Sequence, residues 1–100
     1  MQHIGLIITG EDGKLIDQSN INFAEILSYV SSLNNSIDFP WISTIDPYGM
    51  TVYNGKQIPK FVADLEKLKR ISPKISKAIN ETIAYTAKVK DFQLLNFIGD

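Results

Sequence analysis

Apolar residues recur along this chain with two different periods. "HIGLIIT" (His3–Thr9) is β-branched and nearly continuous, and "GEDGK" follows it. That pattern predicts a strand, a turn and a short return strand at Leu15–Asp17. From Phe23 the period becomes helical, with Phe23, Ile26, Leu27, Val30 and Leu33 on one face. Asn22 stands where an N-cap belongs, Glu25 gives the capping-box spacing, and Ile21 and Ile26 are placed as a hydrophobic staple. "SSLNNS" then ends the helix and opens a loop.

"FPWISTIDPYGMTVYN" (Phe39–Asn54) gathers Phe39, Trp41, Tyr48 and Tyr53 around one tight turn. Pro40 disfavours helical geometry at Phe39, and Trp41–Ile45 predicts a strand. "DPYG" has type I turn chemistry, with Asp first, Pro second and Gly fourth. Met50–Tyr53 would be the partner strand of a hairpin that "NG" closes, with Trp41 and Tyr53 as neighbours. Pro59 suits the first turn of a second helix, whose apolar stripe is Ile58, Phe61, Val62, Leu65 and Leu68. Lys60, Asp64, Lys67 and Arg70 fall off that stripe. Ser72–Pro73 starts a third helix with Ile75, Ile79 and Ile83 inward and Ala78 and Ala87 allowing close approach. A final strand is expected within "DFQLLNFIGD", with Phe92 and Leu94 among its apolar positions. The order β-β-α-β-β-α-α-β describes an α+β fold: one domain over 1–100, with three helices on a mostly antiparallel sheet.

Composition narrows the function classes. A chain of 100 residues with 44% hydrophobic and 21% charged residues has enough material for a real core. There is no cysteine, so disulfides, thiolate nucleophiles and cysteine-based zinc sites are excluded. The N-terminus lacks the pattern of a signal peptide, and no run approaches the ~20 apolar residues that span a bilayer. The expectation is a soluble, cytoplasmic protein.

Charge is divided between the halves. Residues 1–54 carry six acids and one base, a net −5, and residues 55–100 carry nine bases and five acids, a net +4. Such a dipolar surface steers a basic partner toward its acidic side, where Glu11, Asp12 and Asp17 lie. The base-rich segment Lys67–Lys77 ("KLKRISPKISK") raises the alternative of a nucleic-acid-associated module. The acidity of the whole chain, and Asp64 and Glu66 beside the segment, weigh against it.

Equipment for bond-breaking is sparse. His3 is the only histidine, so the common triads and dyads are unavailable. Asp38 and Asp46 could pair as acid and base, but turn and loop chemistry already accounts for both. "EDGKLID" lacks the alternating ligands of a calcium loop, and "GEDGK" lacks the Ser/Thr of a phosphate loop. No cofactor or metal is expected. An enzyme using Asp46 and Tyr48 at the turn remains a rival to a binding protein. Tyr and Trp dominate binding hot spots because they add area with few rotors, so Asp46, Tyr48 and Tyr53 are the candidate partner-binding residues of the hairpin.

The stretch Phe39, Pro40, Trp41, then Ile45, Asp46, Pro47, Tyr48, Gly49, Thr51 and Asn54, with the tail Phe97–Asp100, resembles a pattern in small bacterial immunity proteins. These belong to polymorphic toxin and contact-dependent growth inhibition systems. The resemblance covers residues 39–68 and 97–100 and hardly touches the first 38. It implies a non-enzymatic protein that binds a cognate toxin and blocks its active site or substrate groove. Such toxins are often nucleases with basic substrate surfaces, which the acidic half would suit.

Overall fold

The computed structural model describes residues 2–33 and 38–100. Of the "SSLNNS" segment expected to end the helix and open a loop, Asn34–Ser36 lie outside the described residues. The chain forms strands β1 (Ile4–Gly10) and β2 (Leu15–Asn22), helix α1 (Ala24–Ser32), a short helix α2 (Pro40–Ser43) and strand β3 (Met50–Tyr53). Helix α3 (Ile58–Ile71), a 3-10 turn (Pro73–Ile75), helix α4 (Ser76–Thr86) and strand β4 (Gln93–Gly99) complete it. The four strands make one antiparallel sheet in the order β2-β1-β4-β3. The α+β class and antiparallel sheet agree with the sequence reading.

The hairpin expected at Trp41–Tyr53 does not form. Trp41–Ile45 is not a strand: residues 40–43 are helical, and β3 pairs with β4, Thr51 opposite Phe97. Two local causes favour the helix. Pro40 occupies its first turn, where a missing N–H costs nothing. Ile42 and Ile45, three apart, are both buried, so the segment follows a helical period. A third cause is tertiary. The carboxylate of Asp64 on α3 accepts the N–H groups of Trp41 (2.7 Å) and Ile42 (3.2 Å) through one oxygen. Asp64, expected on the solvent side of α3, is buried to do this.

Other caps differ in detail. Asn22 Oδ1 accepts Ala24 N–H and Ile4 N–H, both at 3.0 Å, tying the entry of α1 to the start of β1. Asn54 opens α3: its Oδ1 accepts Gln57 N–H, and Gln57 Oε1 accepts Asn54 N–H. That reciprocal pair is a capping box. The Ser72 hydroxyl donates to Tyr29 Oη (2.8 Å) instead of capping a helix, and α4 begins only after the 3-10 turn.

Alternation on the strands puts Ile4, Leu6 and Ile8 of β1, Tyr53 of β3, and Leu95 and Phe97 of β4 against the helices, all buried. Phe23, Phe39, Phe61, Leu65, Leu68 and Ile79 meet them from the helical side. Phe97 stacks edge-on with Phe61 (5.1 Å between centroids), Phe23 (5.3 Å) and Tyr53 (5.5 Å). Such pairs add about 0.5–1.5 kcal/mol each beyond area burial. Ile75 and Ile79 are inward as expected and Ile83 is half-buried, whereas Ala87 is exposed.

Candidate functional site

The turn after α2 is held at several points. Asp46 Oδ1 accepts Tyr48 N–H (2.9 Å), the side-chain turn that Asp at this position favours. Asp46 N–H donates to Thr51 Oγ1 (2.9 Å). The Pro47 carbonyl accepts Gln2 Nε2 (2.7 Å), and the Gly49 carbonyl accepts Gly99 N–H (2.7 Å). Gly99 lies so close to the turn that a Cβ there would collide with the Pro47 carbonyl. The two separated blocks of the sequence resemblance therefore meet in space. The outcome of this bracing is a Tyr48 side chain that is 78% exposed.

The candidate residues are not brought together. Tyr53, expected to contact a partner, is buried between Trp41 (5.5 Å) and Phe61 (5.7 Å), and its hydroxyl donates to the Trp41 carbonyl. Burial first, and then the Asp64 carboxylate, raise its pKa against the lowering effect of Thr44. It supports Trp41 rather than offering a surface. Trp41 itself is half-buried, with the Lys60 ammonium 5.5 Å from its ring centre.

The three candidate acids, Glu11, Asp12 and Asp17, also separate. Glu11 and Asp12 are exposed in the β1–β2 turn, where Asp12 Oδ1 accepts Lys14 N–H (3.0 Å). Asp17 is half-buried on β2, and its carboxylate helps raise the pKa of Tyr85 on α4 far above the ordinary value, second to burial. The Tyr85 hydroxyl is buried without a well-formed hydrogen bond, so the influence of Asp17 is proximity rather than a full contact.

The Lys67–Lys77 segment is partly engaged within the fold. Lys67 Nζ donates to the Asp38 carbonyl (3.1 Å) and lies over the Phe39 ring. Lys69 pairs with Glu66 (3.5 Å) and donates to Asn80. Lys74 lies 5.2 Å from the centre of the Tyr29 ring.

A feature that the sequence reading passed over is the second face of the sheet. Ile7, Leu94, Ile98, Met50 and Val52 project to the side opposite the core. Among the described residues no helix covers them, and Met50 is 63% exposed. At the centre Asn96 Nδ2 donates to Thr9 Oγ1 (2.9 Å), a buried polar pair among the apolar side chains. Just before β4, Phe92 is 78% exposed at φ +65°. A bulky residue in that left-handed conformation costs on the order of 1 kcal/mol. Apart from Asn96, the outward positions of β3 and β4 are apolar in the sequence, where a solvated sheet face is usually polar.

Among the described residues no group of three or more His, Asp or Glu is placed to hold a metal ion, and no helix is long and apolar enough to cross a membrane. No protein-family model, curated protein or solved structure matches the chain.

Proposed function

We propose that this domain is a non-enzymatic binding module, an immunity protein that docks on a cognate bacterial toxin in the cytoplasm and neutralises it. The observation that carries the reading is Tyr48, a large side chain held out into solvent by a turn braced through Asp46, Thr51, Gln2 and Gly99. Side chains presented on rigid elements bind with little ordering cost, and Tyr is enriched among the residues that dominate interfaces. The motif resemblance supplies the class of partner. The acid-rich first half supports a basic one, a nuclease domain being the fitting example.

The reading is tested by co-expressing the chain with the toxin-like product of a neighbouring gene and scoring growth. Rescue that Tyr48→Ala abolishes in a still-folded domain supports it. No rescue and no complex would refute it. Reversing Glu11 and Asp12 separates the electrostatic part, because an unchanged association rate at low salt removes steering from the account.

A further inference from the structure

The uncovered sheet face is a surface with a direction. Its outward positions on β1, β3 and β4 carry no charged side chain. Antiparallel sheets with one wet face normally alternate apolar-in and polar-out, and contiguous apolar exposure marks interaction sites. Phe92 extends the strip: it lines a cavity with Leu94, Glu11, Asp91, Asn54 and Lys56. Its backbone sits where glycine or asparagine is favoured, yet the residue is a solvent-exposed aromatic. Neither packing nor backbone preference accounts for a phenyl ring there, whereas contact with a partner does.

Charge decides between occupants. Glu11 and Asp91 stand at the Phe92 end of the face, with Lys56 as the base lining the same cavity. Asp100 stands at the other end, lining a groove with Ile7, Ile98 and His3. Lys67, Lys69, Arg70, Lys74 and Lys77 lie on the helical layer instead. A second copy docked face to face would bring acidic rims together, whereas a cationic surface meets complementary charge.

We propose that the open sheet face, anchored by Met50, Ile98 and Phe92 and rimmed by Glu11, Asp91 and Asp100, is the docking surface for a cationic protein partner with an apolar centre. The proposal deepens the binding-module reading and rests on it, but it does not require the partner to be a toxin.

The test uses the purified domain, a random peptide library displayed on phage, and fluorescence anisotropy with the selected peptides. Selection should return peptides of net positive charge carrying aromatic or branched aliphatic residues. Met50→Lys, at an exposed position, should weaken their binding about tenfold or more. Phe92→Asn should weaken it by a similar factor while raising the thermal midpoint, because Asn tolerates the left-handed backbone; a purely structural Phe92 would lower the midpoint instead. Neutral or acidic peptides, no selected peptide, or binding indifferent to both substitutions overturns the proposal. So does dimerisation that Met50→Lys abolishes, which assigns the face to a second copy. No toxin enters the experiment, so failure of growth rescue and failure of peptide docking are separate results.

Discussion

Gly99, at the end of β4, packs directly on the carbonyl of Pro47, at the corner of the turn that presents Tyr48. The contact joins two parts of the chain about fifty residues apart in sequence, and it leaves no room for a side chain. The need for glycine here is closeness rather than a left-handed backbone. Gly99→Ala should therefore cost about 1–3 kcal/mol or more, as overpacking against unyielding backbone does. Urea unfolding at neutral pH measures it, and a wild-type midpoint would show that the turn gives way freely.

Asp64 holds the first turn of α2 through the N–H groups of Trp41 and Ile42. Asp64→Ala leaves both donors without their acceptor in a buried setting, and we expect a loss of about 1–3 kcal/mol. Asp64→Asn keeps an acceptor oxygen and should lose less. Equal stability of the alanine and wild-type proteins in chemical denaturation would contradict this account of why residues 40–43 are helical.

Tyr85 gives a pH signature. Burial and the neighbouring Asp17 raise its folded pKa, so the unfolded chain ionises first as pH rises. Its contribution is fully present below the unfolded value of about 10 and is lost above it. Tyr85→Phe also removes a buried hydroxyl that has no well-formed partner, and it should be neutral or stabilising by up to about 1 kcal/mol at pH 7. Denaturation midpoints from pH 8 to 11 should fall less steeply for Tyr85→Phe than for wild type. Parallel curves would remove Tyr85 from the alkaline response.

Tyr48→Ala separates presentation from packing. With 78% of the residue exposed, its truncation should change stability by less than about 0.5 kcal/mol. As an interface anchor it should cost about 2 kcal/mol in partner affinity. Asp46→Ala should lose some affinity too, by releasing the Tyr48 N–H that fixes the turn. A destabilised Tyr48→Ala domain would return Tyr48 to a structural role.

Local signals carried the fold wherever period and cap agreed. The stripe Ile58, Phe61, Val62, Leu65, Leu68 and the Pro59 start predict α3, and the structure buries four of the five and leaves Val62 half-buried. The Asn54–Gln57 capping box was also legible, but its asparagine sits in an "NG" pair and reads first as a turn. Phe39–Ile45 was ambiguous because short apolar runs fit either period. Asp64, more than twenty residues away, is one of the contacts that makes it helical, and its place on α3 reads as solvent-facing. Tyr53 looked like a binding residue for the same reason: β-propensity marks a strand but not which face meets the core.

The amino-acid sequence by itself determined the α+β class, the main helices, the DPYG turn and the division of charge, because these depend on neighbours within a few residues. Tertiary structure alone decided that β3 pairs with β4, that Gly99 braces the turn, that Tyr53 is buried while Tyr48 is exposed, and that one apolar sheet face stays uncovered. Each of those outcomes depends on which distant segment arrives beside a residue, and side-chain chemistry does not encode that locally.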